Sequence, residues 1–416
     1  MRILLISQFF PPEPNSVGQM FYELGADMVR EGYQVTVITG FPNHPSGKVF
    51  GGYQKRLWQV ENKMGMRVIR VWLFTSPNRR LFNRMITFLT FSLTSSIAIL
   101  LGRQHDIMFA LLQPLSVGII FPIIAKLKKT KVVFNLQDLH PDAIIDAGLI
   151  TNDVFIKFLR LIERFSYRHA EHLCAICNIF KQHIVSNGIP ASKISVIPNW
   201  IDLDEIKPLP RENTFRLQCG LKPDDFVILY AGNIGYTAGA DIIVKVAKML
   251  WKDSGFKYFF VGDGPARDEI KKLSEQEGLK NVRFLPFQPR DLLPLVQATA
   301  DVSVVTMQAG WAKKSVGFSS KVLTYMAAGR PVVASVDLDS EMAGLVREAQ
   351  CGIVATAGDA IALGNAIKQL SGSPDLRASF GANGRRHVEQ HFSRDVVVRQ
   401  HILLFESLIS RQKKDN

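Results

Sequence analysis

Short β-branched runs alternate with longer stretches of helical spacing through the first half of the chain. RILLIS (2–7), QVTVIT (34–39), MRVIRVW (66–72), DIMFAL (106–111) and KVVFNL (131–136) are near-continuous apolar runs, as expected of strands buried on both faces. The intervals between them suit crossover helices, which predicts a parallel, doubly wound sheet. HLCAIC (172–177) and ISVIPN (194–199) follow, and then a polar, proline-bearing stretch from Ile201 to Asp225 breaks the pattern. The domain connection is placed there. The pattern restarts with FVILYAGN (226–233), YFFVGDG (258–264), VRFLPF (282–287), DVSVVT (301–306), RPVVAS (330–335) and GIVATA (352–357), which predicts a second parallel sheet. A last helix follows Ser393 as N-cap, with Val397, His401, Ile402, Phe405 and Leu408 spaced for one apolar face. The reading is α/β, with domains over 1–205 and 206–392 and a helix over 393–416. Ligands of open α/β sheets sit beyond the carboxyl ends of the strands, so the functional residues are expected just after strands, in a cleft between two strand-end rims.

Length agrees with this division, since 416 residues exceed what one hydrophobic core usually serves. Four cysteines, Cys174, Cys177, Cys219 and Cys351, are too few for a disulfide framework and suit a reducing compartment. Cys174 and Cys177 form a CxxC, but inside an apolar strand their side chains would point to opposite faces, and no second pair completes a zinc site. MRILLISQFF carries no cleavage signal and reads as a first strand.

The net charge of +13 is concentrated at one end. Residues 1–200 hold 22 Lys/Arg against 12 Asp/Glu, and from Lys48 to His105 there are ten basic residues with Glu61 as the one acid. Arg79, Arg80 and Arg84 precede a 17-residue run without charge, Met85–Leu101, and Arg103 follows it. The run is at the lower limit for crossing a bilayer and is interrupted by threonines and serines, so a buried or interfacial helix is expected. A second apolar stretch, Val117–Ala125, leads into Lys126, Lys128, Lys129 and Lys131. Core packing and docking on an anionic membrane are compatible on different faces of such helices, and segment 79–103 is assigned to the membrane side. A nucleic-acid partner is not expected, because the basic region abuts an apolar run instead of interleaving with aromatics.

Several strand-end loops carry candidate chemistry. FFPPEPNSVG (9–18) is stiffened by prolines, and Gly18 lets amides at a helix start approach an anion. QDLHPD (137–142) follows KVVFNL, and Asp138 and His140 there could orient a hydroxyl or stabilise charge. AGNIGYTAGAD (231–241) and VGDGPARDE (261–269) are glycine-bearing turns, and Gly262 and Gly264 allow close backbone approach to a ligand. The densest signal lies between Gly310 and Ser335, where Lys313, Lys314, Gly317, Ser319, Ser320 and Lys321 precede a helix. Amides, hydroxyls and ammonium groups at one helix start make an anion site. The acidic pairs Asp202/Asp204 and Asp337/Asp339 are too common a spacing to assign a metal, and none is expected. There is no GxGxxG, GxSxG or Walker loop.

Taken in order, the PP…G loop, DLHPD, PNWID, YAGN, VGDGP and SSK…YMAAGRPVVAS resemble the family 4 retaining glycosyltransferases of the GT-B fold, over nearly the whole chain. The resemblance implies two facing Rossmann-like domains, with a lipid-linked acceptor on the first, a nucleoside diphosphate sugar on the second, and the final helix crossing back onto the first. It implies exopolysaccharide assembly on the cytoplasmic membrane face, and no cofactor beyond the donor itself. By the same resemblance His140 or Asp138 lies beside the transferred sugar. Gly18, Asn233 and Lys321 lie by the diphosphate, joined by Ser320, while Gly262, Asp263 and Gly264 line the donor cleft and Phe287 flanks the base. Asn15 and His44 are assigned to the acceptor. Many relatives carry two glutamates eight apart at the donor; here those positions are Val316 and Thr324, so the sugar-facing carboxylate is missing and Thr324 offers the ribose a neutral hydrogen bond. A sugar-nucleotide binder without catalysis and a sugar-nucleotide epimerase remain alternative readings.

Overall fold

The computed structural model describes every residue except 54, 55, 79, 147–149, 253, 254, 312–318 and 416. Two compact units divide the chain: Met1–Pro198 with the end of the final helix from Val398, and Asn199–Val397. Segment 199–206 belongs to the second unit because Ile206 is buried in that unit's core with Ile201 and Leu203 packed on it, and the Ile201 amide donates to Phe392 O at 2.9 Å.

The first unit is an eight-stranded sheet of β1 (Arg2–Ile6), β2 (Gln34–Gly40), β3 (Trp58–Lys63), β4 (Met66–Val71), β5 (Ile107–Leu111), β6 (Lys131–Leu136), β7 (His172–Ala175) and β8 (Ile194–Val196). Its order is β3-β4-β2-β1-β5-β6-β7-β8. Helices cover the apolar strands, and β1 and β5 are buried almost throughout, as their uninterrupted apolar runs require. The expectation of a purely parallel sheet fails at one edge: β3 pairs antiparallel with β4, turning through Met64 and Gly65, both at positive φ. The second correction concerns the CxxC. Strand β7 ends at Ala175, and Cys177 is the N-cap residue of helix Asn178–Ser186. Burial pushes the Cys174 thiol far above its ordinary value, and none of the four cysteines is in a disulfide.

The second unit has six parallel strands, β9 (Phe226–Ala231), β10 (Phe256–Val261), β11 (Val282–Leu285), β12 (Val302–Thr306), β13 (Val332–Val336) and β14 (Gly352–Thr356), in the order β11-β10-β9-β12-β13-β14. Alternate residues of β9 feed two cores: Val227, Leu229 and Ala231 enter one, while Phe226, Ile228 and Tyr230 enter the other. Arg211 ties the incoming connection to this unit through Asp301 at 2.6 Å.

The final helix, Arg394–Asp415, packs on the first unit. His401 and Phe405 meet Phe109 of β5 with ring centroids 5.4 and 5.3 Å away, and Lys131 Nζ donates to Leu408 O at 2.8 Å. Among the described residues one helix, Phe82–Leu101, is long and apolar enough to cross a membrane. Its polarity is inverted relative to a helix on a water-facing surface: Ser92 and Ser95 are fully buried and bond the helix's own carbonyls, while Leu89, Leu93, Ile97 and Leu101 are exposed.

Candidate active site

The glycines of the second unit converge at the carboxyl ends of β9 and β10. Gly232, Gly262 and Gly264 have φ of 125°, 142° and 153°, where a Cβ is strained. Space is equally restrictive: a Cβ on Gly262 would lie 2.0 Å from Gly232 O, and one on Gly264 would lie 2.4 Å from Ile234 O and 2.7 Å from Asn233 Oδ1. The two turns are thus laced edge to edge, with the Ile234 amide donating to Asp263 O and the Gly232 amide to Val261 O, both at 2.8 Å.

Lys321 enters this cradle from helix Lys321–Ala327, and a Cβ on Gly232 would lie 2.7 Å from Lys321 Cε. Its ammonium donates to Tyr230 Oη at 2.7 Å and to Asn233 O at 2.8 Å, and the Tyr230 hydroxyl donates to the same carbonyl at 2.9 Å. An ammonium has three N–H donors, so one remains without a partner among the described residues. Burial pushes the Lys321 amine down to about 8, and no carboxylate among the described residues counters it. A desolvated cation with an open donor, set against backbone at positive φ, is suited to a compact anion. Tyr325, fully buried one turn along the helix, holds the assembly to β9: its hydroxyl accepts from the Ala231 amide at 3.0 Å and donates to Ala231 O at 3.2 Å.

Of the remaining residues assigned to the donor, Asp263 is exposed and caps the Gly264 amide at 2.8 Å. Phe287 is 60% exposed just beyond β11, whose Leu285 O accepts from Gly262 N at 3.0 Å. Ser320 is exposed beside Lys321, and the Thr324 hydroxyl turns back toward Ser320 O at 3.5 Å. Lys313, Lys314, Val316 and Gly317 lie outside the described residues. Asp202 and Asp337, noted for their spacing, accept backbone amides of Asp204 and Gly310 at 3.0 Å.

In the first unit the loops after β1, β2 and β6 adjoin. Asn15 caps helix Ser16–Arg30 by accepting from Gly18 N at 2.9 Å, and a Cβ on Gly18 would lie 2.9 Å from Phe9 O, which explains a glycine there. His44 sits edge-on to Phe9 with centroids 5.4 Å apart. Across β5, the Gln137 amide reaches Met20 Sδ at 3.8 Å, bringing the β6 loop to the same helix. Asp138 is exposed, whereas both ring nitrogens of His140 are shut off from solvent with no partner among the described residues. Burial pushes the His140 imidazole down against the pull of Asp138, so it is neutral at physiological pH. Its loop is anchored through Asp142, which accepts from Arg160 at 2.7 Å and lies 3.2 Å from His183 Nε2.

Sequence reasoning missed the residues that hold these loops. Glu13, 4% exposed, accepts from the amides of Phe10, Asn43 and His44. Arg70, fully buried, donates to Pro11 O at 2.6 Å and pairs with Glu61 at 2.8 Å. A carboxylate amid the prolines of PPEPN was the available signal for Glu13; Arg70 sits in an ordinary strand run and offered none.

Comparison with known proteins agrees with this geometry. Residues 212–387 match the family described as Glycosyl transferases group 1, and residues 16–200 match the Glycosyl transferase 4-like domain. The chain is 24% identical over 353 residues to the colanic acid biosynthesis glycosyl transferase WcaI of Escherichia coli K12, covering 83% of this chain and 86% of that one. Sucrose-phosphate synthase of Thermosynechococcus elongatus shares the fold with a TM-score of 0.77 at 18% identity, over 99% of this chain and 100% of that chain. Anabaena HepE, described with UDP and glucose bound, does so with a TM-score of 0.71 at 18% identity, over 98% and 100%. With both halves matched by glycosyltransferase domains and both sheets built on the GT-B plan, the chain belongs to the family 4 glycosyltransferases.

Proposed function

We propose that this glycosyltransferase moves a sugar, with retention, from a nucleoside diphosphate sugar to a lipid-linked saccharide during exopolysaccharide assembly on the cytoplasmic membrane face. The observation that carries the donor class is the third Lys321 N–H, open at the Gly232–Gly262–Gly264 cradle. HepE holds UDP and glucose, and WcaI is named for colanic acid biosynthesis; a UDP-sugar and a GDP-sugar such as GDP-fucose are therefore the donors to test first.

In the proposed reaction the bond from the anomeric carbon to the diphosphate oxygen breaks while the acceptor oxygen bonds that carbon on the same face. The acceptor proton passes to the departing diphosphate oxygen, so no enzymic nucleophile is needed. Lys321 and the cradle amides stabilise the charge that develops on the diphosphate. In this reading His140 and Asp138 serve the transferred sugar, and because both His140 ring nitrogens are closed to solvent, that role requires the loop after β6 to shift on binding; Gly18 keeps the assignment to the donor side. Asn15 and His44 serve the acceptor.

The amphiphilic acceptor is supported by helix Leu81–Leu101. Leu93 and Ile97 are 58% and 49% exposed on its apolar stripe, while Arg80 and Arg84 stand at its start and Arg103 just past its end. Such a surface lies on an anionic bilayer with apolar side chains inserted. The test is radiolabelled UDP-glucose and GDP-fucose incubated with the protein and lipid extracts from an exopolysaccharide-producing strain. Label in the lipid fraction, lost in Lys321→Met, is expected; release of free sugar or epimerised nucleotide alone would sink the reading.

A further inference from the structure

We propose that Glu13 is a positioning residue for the acceptor: its carboxylate locks the loop after β1 to the loop after β2 and so sets the frame on which Asn15 and His44 are presented. This rests on the reading of the first unit as the acceptor side. Glu13 Oε1 accepts from the Asn43 and His44 amides, both at 2.8 Å, and Oε2 accepts from the Phe10 amide at 3.3 Å. One side chain thus satisfies three backbone donors from two loops that strand pairing does not join at that point. A buried carboxylate is a poor stabiliser, since its desolvation offsets most of what its bonds contribute, and an apolar residue fills such a space at less cost. What the charge adds is fixed direction, and the amides it fixes belong to His44 and its neighbour.

The surroundings make Glu13 sensitive to acid. Burial raises its carboxyl above the ordinary carboxylate value, while the three amides and the Arg70 guanidinium pull it back. The other charged or titratable groups around it are Glu61, paired with Arg70, Lys63, whose Nζ reaches Pro11 O at 3.4 Å, the Tyr53 phenol, which burial raises, and His44 itself. Protonation turns three charge-assisted bonds into neutral ones, which are about half as strong. Glu13→Gln does the same permanently: its carbonyl keeps the Asn43 and His44 bonds, but its NH2 then faces the Phe10 N–H, donor to donor.

Two measurements test this. Amide-exchange protection of Phe10, Asn43 and His44, corrected for intrinsic rate, is followed in the wild-type protein as it is acidified from pH 7.5 to the onset of acid unfolding and needs no variant. In parallel the half-saturating amount of lipid extract is measured against that of donor. The expected result is protection that falls with acidification, together with an acceptor requirement that rises about fivefold while donor KM holds still. E13Q should begin about tenfold high in acceptor requirement and lack the acid response. Protection constant across that range, or an E13Q acceptor requirement equal to wild type, would overturn the proposal. So would a shift in donor KM in place of acceptor requirement. Absence of any transfer by the wild-type protein with intact, acid-responsive protection would instead overturn the acceptor reading on which it rests.

Discussion

With Lys321 on the donor diphosphate as proposed, donor affinity should depend on pH in a direction fixed by the surroundings of that amine. Burial lowers it to about 8, so the apo protein is about nine-tenths protonated at pH 7 and about one-quarter at pH 8.5. A diphosphate binding only the ammonium form therefore loses about fourfold in affinity over that interval, or about 0.8 kcal/mol. Apo stability runs the opposite way: above pH 8 the folded chain sheds this proton before the unfolded chain does, so the Lys321 contribution to stability rises with pH. The assay is calorimetric titration of UDP-glucose at pH 7.0, 7.75 and 8.5 at fixed ionic strength, below the range where the base loses its own proton. Lys321→Met removes a charge-assisted bond worth about 2 kcal/mol, a loss of about thirtyfold, and should flatten the profile. Wild-type affinity constant over the interval, or the same slope in K321M, would refute the assignment of Lys321 to the diphosphate.

Other substitutions probe the remaining links. Gly262→Ala puts a Cβ 2.0 Å from Gly232 O at a φ of 142°, which should cost about 3 kcal/mol in thermal stability and abolish nucleotide binding in the same calorimetric assay. Asp142→Asn weakens the hold of Arg160 and His183 on the His140 loop, so kcat should fall about tenfold with donor Kd unchanged. Leu93→Asp with Ile97→Asp changes exposed positions, so Tm should move little, while sedimentation with anionic vesicles should weaken by about 3 kcal/mol. Phe405→Ala empties a buried site against Phe109 and should lower the stability of the first unit by about 4 kcal/mol, read from denaturant unfolding.

What could be read in advance depended on whether a residue's partner was local. Strands β1, β5 and β9 announced themselves because burial on both faces demands an unbroken apolar run. Strand β3 did not, because its exposed edge alternates Trp58, Val60 and Asn62 with half-buried Gln59, Glu61 and Lys63, a pattern as compatible with a loop. Cys177 was read as strand because the apolar run continues past Ala175, whereas the backbone there already caps the next helix. The glycines of the donor cradle were legible because what they supply is their own backbone. Lys321 was legible as a cation at a helix start, but its partner Tyr230, whose hydroxyl it meets across a separation of 91 residues, was not; in the first unit Glu13 went unread because it acts through amides 30 and 31 residues away. A side chain whose partner is a distant backbone atom leaves no periodic trace, because any sequence at the far position supplies the same amide or carbonyl. The loops of this enzyme are therefore positioned largely by contacts that only the folded chain reveals, and the charged residues making them, Glu13 and Arg70 above all, are where substitution should alter substrate affinity without touching substrate.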